Sequence, residues 1–332
     1  MPCLSRRSLL LAASAAALPG CAGRATDGRR VLRVAHDNPT SHPVHLGLER
    51  AAAVLQEASG GRLELQVFPA SQLGTQQEEL LATVVGSLDL YVTAVSWLGQ
   101  YYAPISVLDS PFVFRDLAHM YRAYESPIGQ RLLEGVRTRV GARIVDTWYY
   151  GRRHLTLVKG PVRTPEELKG VKMRAAAAPI YIETVRALGA DPTPMSLGEV
   201  YLALKTGVID GQENPLPTIE AMKFQEAAPY LVLTGHMITP VSVIANDRRW
   251  SRLPESERAL VQDAILKGRE VNNAAIQKQE HDLLVRFRGE GVTIVEPDVE
   301  AFRRAARAVA TRFESDWGRG TYEELQSLGE TR

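Results

Sequence analysis

LGADPTPMSLGEVYLALKTGVIDGQENP, residues 188–215, packs a helix end, a helix start and a polar loop into one short run. The helical spacing of Ile180 to Leu188 stops at Gly189. Ser196-Leu197-Gly198-Glu199 fits a capping box, in which a serine and a glutamate three residues on satisfy each other's backbone N–H groups. The helix it opens runs to Lys205 and ends at Gly207. Gly207 to Pro215 (GVIDGQENP) then crowds glycines and polar side chains into what reads as a turn region. Just upstream, Thr164-Pro165-Glu166-Glu167 combines a capping box with proline at the first helical position. The short strand Val171 to Arg174 follows and leaves an arginine at its end.

The same grammar extends in both directions. Val31 to His36, Arg62 to Phe68 and Leu88 to Val92 read as strands. Helices lie between them, at His42 to Ser59 and from a capping box at Thr75-Gln76-Gln77-Glu78. Strand–helix–strand–helix–strand implies a parallel sheet with covering helices. Ala142 to Trp148, His154 to Val158 and Val241 to Asn246 are also strand-like. Pro254 to Asp282 is almost continuously helical, and a last helix runs near Val299 to Trp317. The expected fold is therefore α/β, in two lobes. Residues 31–150 plus about 240–280 form lobe I, and residues 151–239 plus about 281–332 form lobe II. No Gly/Ser/Pro-rich linker separates them, which predicts a hinge.

Composition narrows the function. The chain has 332 residues, 39 Lys plus Arg against 38 Asp plus Glu, and 45% apolar residues, which excludes a disordered or fibrous protein and any general attraction to nucleic acid. Cys3 and Cys21 are its two cysteines, so the body has no thiol for redox or nucleophilic chemistry. Residues 1–30 read as an export signal and tether. Arg6-Arg7 precede the uncharged run Leu9 to Leu18, which spans roughly half of a ~30 Å hydrocarbon core and is too short to cross it. The twin arginine resembles a Tat signal, and Leu18-Pro19-Gly20-Cys21 resembles a lipobox that lipidates Cys21. The expected location is periplasmic, with membrane contact only through a partner or that lipid.

No HExxH pair, GxSxG elbow, Walker A loop or GxGxxG fingerprint is present, which favours binding over catalysis. His42 and His45 sit three apart after His36, a spacing that suits a metal site but that an exposed loop and helix start also carries, and neither metal nor cofactor is expected. Three polar segments remain: Gly151-Arg152-Arg153, Leu168 to Arg174 and Gly207 to Pro215. A guanidinium at a strand end offers two parallel donors to a carboxylate. An asparagine before proline is held extended and can turn its amide inward. Together they suit a small anion in a cleft. An arginine in an interdomain ion pair and a plain turn asparagine are the structural alternatives.

These segments closely resemble the solute-binding proteins of TRAP transporters, in the C4-dicarboxylate-binding (DctP-type) branch. The matching stretches are HPVHLGLERAA, FPASQLG, GSLDL, LDSPFVFRD, TPEELKGVKMR, the run 188–215 and FQEAAPYLVLTGH. The resemblance implies a clamshell periplasmic binding protein with mixed sheets and a long bracing helix. It implies that Arg174 binds a ligand carboxylate, that Asn214 supports it, and that Arg153, or its neighbour Arg152, reaches the ligand. Asp37 and Gln76 would contribute from lobe I. Trp148, Trp97 and Tyr149 stand ready to pack on the ligand's apolar face, or equally in the core. The implied partners are a small organic acid and the TRAP membrane permease subunits. A sensor of the same fold, feeding a signalling receptor, is the alternative. Three departures from the sialic-acid-binding members point to a different acid: Asp37 replaces asparagine, Ala94 replaces an acid and Leu197 replaces an aromatic. An acidic Asp37 favours hydroxyl or amine groups on the ligand's far end.

Overall fold

The structure is a computed structural model that describes residues 28–329. Arg6, Arg7, the apolar run and Cys21 lie outside the described residues. The chain begins with β1 (Arg30–His36), α1 (Pro43–Ala58), β2 (Leu63–Phe68), α2 (Gln76–Val85) and β3 (Leu90–Thr93). It continues through α3 (Leu117–Glu125), α4 (Pro127–Val140), β4 (Ala142–Leu157), β5 (Lys172–Ala175), α5 (Pro179–Ala187) and β6 (Asp191–Pro194). Then come α6 (Val200–Lys205), β7 (Gly211–Pro215), α7 (Leu216–Ala221), β8 (Tyr230–Asn246) and α8 (Asp247–Arg252). The last elements are α9 (Glu255–Gly289), β9 (Thr293–Val295), α10 (Val299–Trp317) and α11 (Thr321–Ser327).

The expected separate sheets are one mixed nine-stranded sheet, ordered β2-β1-β3-β8-β4-β7-β5-β6 with β9 beside β8. Continuity comes from β4 and β8, which pair antiparallel along their lengths. One half of β8 carries β3, through Leu90↔Ala245 to Thr93↔Ser242, and the other carries β9, through Tyr230↔Thr293. Only the second part of β4 carries β7. The two halves of the molecule therefore share two strands. The stretches read as Ala142–Trp148 and His154–Val158 are one strand of 16 residues, interrupted by register shifts at Ile144/Asp146, Tyr149/Gly151 and Arg153/Leu155. Gly151 sits at the second of these with φ +124°, a conformation L-residues avoid, and a Cβ there would strike Pro215 at 2.7 Å.

The polar run expected as a turn is another correction. Gly211 to Pro215 is a strand buried at every position. Its polar side chains pair with one another and with β4: Gln212 Nε2 donates to Thr156 Oγ1 at 2.7 Å, and Asn214 Nδ2 to Gln212 Oε1 at 2.5 Å. A buried strand tolerates such residues only when each is satisfied.

Helix α9 runs 35 residues, two turns past the expected end. Its Val261, Ala264 and Ile265 pack in one core with α1 and β1, while Leu283 and Phe287 pack in another with α6 and α7. It therefore braces both halves. Helix α10 likewise divides its buried face, with Phe302 and Ala306 in one core and Val309, Phe313 and Trp317 in another. Where α1 crosses α9, Gly47 and Gly268 let the backbones touch, and the Trp148 indole closes the gap.

That crossing sets a test. A Cβ on Gly268 would meet Gly47 O at 2.5 Å and the Trp148 ring at 3.0 Å, whereas one on Gly289 meets nothing within 4 Å. Gly268→Ala should cost about 1–3 kcal/mol in urea denaturation, and Gly289→Ala should stay within about 0.5 kcal/mol of the parent.

Candidate functional site

A cavity of about 50 Å³ lies between the two halves. It opens where β1, β3 and β5 end, the carboxyl edge at which α/β sheets bind ligands. Asp37 follows β1 directly, and Gln76 is the first residue of α2, placed by the capping box that Thr75 and Glu78 close. Arg174 comes from β5, Arg153 from β4 and Asn214 from β7. These five side chains line one cavity, as do Ala94, Trp97 and Leu197.

Trp148 does not line it. The correction has a packing cause: the indole is buried against Gly47 and Gly268, and its Nε1 donates to Asp146 Oδ2 at 3.1 Å. Tyr149 points to α9, with its hydroxyl donating to Glu280 at 2.8 Å. The register shift beside Gly151 then sets which side chains face inward, so Tyr150 and Arg153, three apart, share the cavity. Arg152 turns away, and its Nη2 donates to Arg115 O at 2.9 Å.

The two buried arginines differ in their partners. Arg153, 3% exposed, grips the Glu213 carboxylate through Nε and, at 2.8 Å, through Nη2, which also reaches Glu213 O at 2.7 Å and Asn214 Oδ1 at 3.1 Å. His236 faces the same carboxylate at 3.3 Å. Burial alone would raise the Glu213 pKa, but the charge of Arg153 and the hydrogen bonds from His236 and Arg153 outweigh it and hold the carboxyl at about 2. Arg153 is thus a salt-bridge residue, though its pair lies within one half and not between the two, and its remaining edge meets the cavity.

Arg174, 2% exposed, has no such counter-ion. Its Nε donates to Met195 O at 3.2 Å, and it forms no ion pair among the described residues. Burial pulls its pKa down to about 10, Glu213 opposes this, and the Arg153 charge adds to it. A guanidinium held dry without an anion is poised to take one.

On the facing wall, the Asp37 carboxylate accepts from Tyr91 Oη at 2.9 Å, Gln76 Nε2 at 3.1 Å and Ser71 Oγ at 3.3 Å. Burial raises its pKa to about 6, the hydrogen bonds from Tyr91, Gln76 and Ser71 and the charge of Arg174 partly opposing. Asn38 accepts from Tyr150 Oη at 2.8 Å. Sequence reading missed Asn38, Tyr150, Tyr181 and Thr239 as cavity residues and Glu213 as the anchor of Arg153. Asn38 and Glu213 were adjacent to residues already singled out; Tyr181 and Thr239 carried no signal. Among the described residues, no group of His, Cys, Asp and Glu could hold a metal ion.

Residues 34–316 match the family described as bacterial extracellular solute-binding protein, family 7. The chain belongs to that family. It is 34% identical over 277 residues to the sialic acid-binding periplasmic protein SiaP of Vibrio cholerae, covering 83% of this chain and 86% of the relative. Among solved structures, a TRAP periplasmic solute-binding protein from Bordetella bronchispeptica, with density assigned to pantoate, superimposes with TM-score 0.84 at 31% identity, over 90% of this chain and 99% of the other. Another from Polaromonas sp. JS666, bound to D-erythronate, gives TM-score 0.85 at 27% identity, over 91% and 99%. As a family 7 protein, this chain is a mixed α/β solute-binding protein, and its role is in transport.

The Arg153–Glu213 pair should dominate the site's stability. Glu213→Gln leaves a buried cation unpaired and should cost about 3–5 kcal/mol by denaturant titration. Because the Glu213 pKa is depressed in the folded state, its stabilisation is complete above about pH 4.5 and is lost as pH falls toward 2. The variant should therefore show a shallower loss of stability across that window.

Proposed function

We propose that this protein captures a small organic acid outside the cytoplasmic membrane and delivers it to the membrane subunits of a TRAP permease. The single observation that carries the carboxylate assignment is Arg174, a cation buried in the cavity wall with no ion pair among the described residues. A ligand carboxylate there gains two charge-assisted bonds, each worth about 1.5–3 kcal/mol net. Asn214 and the free edge of Arg153 orient it. Relatives with pantoate density or bound erythronate, both carboxylates, support the class. No sequence motif suggests that the site turns its ligand over.

Ligand entry requires motion. Asp37, Asn214 and Arg174 are each at most 9% exposed, so a ligand that engages all three needs the halves to part. The lobes meet where β4 and β8 cross from one half to the other, and Gly151 lies at that passage. Opening there, with α9 spanning both halves, is the clamshell motion of this reading. Ligand favours the shut form only by its differential affinity for it. Export by the Tat route, and a lipid on Cys21, complete the reading for the residues before Gly28.

Arg174→Ala should weaken acid binding at least 100-fold in calorimetry while the circular dichroism spectrum stays that of a folded protein; unchanged affinity would remove the carboxylate assignment. Small-angle scattering should show a smaller radius of gyration at saturating ligand than without it. Identical profiles would count against hinge closure.

A further inference from the structure

The two walls of the cavity differ in chemistry. The wall from β5 and β7 carries the Arg174 cation and the Asn214 amide. The wall that follows β1 and opens α2 presents acceptors. Gln76 gives its Nε2 to Asp37, which fixes the turn of the amide and leaves Oε1 buried without a hydrogen-bond partner. Thr239 on β8, also lining the cavity and 1% exposed, has its hydroxyl buried and unpartnered. Buried polar atoms without partners are costly unless something meets them.

Arg153 and Arg174 are the only cations lining the cavity among the described residues, and Glu213 already holds Arg153. Behind β1, His36 and His42 are driven to about 3 by burial, the charge of a neighbouring histidine adding to this, and stay neutral. Glu79, buried beside this wall, is raised to about 8 by burial and by the Asp37 charge, so it is largely protonated at neutral pH and the negative charge of the wall is that of Asp37. A second carboxylate placed there would meet like charge and no counter-ion.

Resting on the carboxylate reading above, we infer that the ligand is a polyhydroxylated monocarboxylate, whose hydroxyls donate to Gln76 Oε1, Thr239 and Asp37, and that Asp37 excludes dicarboxylates. Hydroxyls fit better than one ammonium. The open acceptors sit on separate elements, α2 and β8, and Asp37 already receives three donors. Several spaced donors are needed, which an aldonate-type chain supplies and an amine does not.

The test is calorimetry at pH 8, above the raised Asp37 value of about 6. The probes are D-erythronate, D-xylonate and D-galactonate against succinate and 4-aminobutyrate. The best hydroxylated acid should bind at least tenfold tighter than succinate or 4-aminobutyrate. Succinate binding as tightly overturns the exclusion and leaves the carboxylate reading standing. 4-Aminobutyrate binding tightest overturns the choice of hydroxyls. Binding of none of the acids removes the carboxylate reading itself. Asp37→Asn should shrink the disadvantage of succinate at least tenfold, whereas Arg174→Ala should weaken every acid alike; an undiminished disadvantage in Asp37→Asn overturns the role given to Asp37.

Discussion

Two guanidiniums and one paired carboxylate share the dry space beneath the cavity, and that imbalance governs the site. Glu213 neutralises Arg153 through two contacts to the carboxylate and holds it rigid. Arg174 keeps its charge with a backbone carbonyl as its recorded partner. In a low-dielectric interior, an unbalanced charge is a standing demand for a counter-ion. The first pair gives the wall its shape, and the second cation gives it an appetite.

Much of this was legible in the residues. The capping boxes at Thr75 and Ser196 are formed as read, with both reciprocal hydrogen bonds, whereas the one read at Thr164 is not, because Glu167 accepts from the Arg163 N–H instead. The helix read at Val299 to Trp317 has those bounds, although it is not the last, because the short α11 follows it. Five of the six side chains singled out for the ligand line one cavity. Capping boxes and helical periodicity are local, so sequence displays most of them directly.

What sequence hid depends on partners far away in the chain. The run 207–215 looked like a loop because its polar residues have no visible justification. They lie in a central strand because Thr156, Arg153 and His236, brought from β4 and β8, satisfy them. Gly151-Arg152-Arg153 looked like a junction between two strands, yet it is a register shift inside one. That shift also explains Trp148. Without it, simple alternation gives no reason for Tyr150 and Arg153 to share a surface while the indole two residues earlier serves a helix crossing.

The shared strands carry one more implication. Because β4 and β8 each belong to both halves, neither half is a separable piece of polypeptide. Cutting the chain to isolate one would strip long strands of half their neighbours and leave open edges that invite self-association. This architecture resists being divided into modules, so in evolution and in engineering alike the two halves must be inherited together.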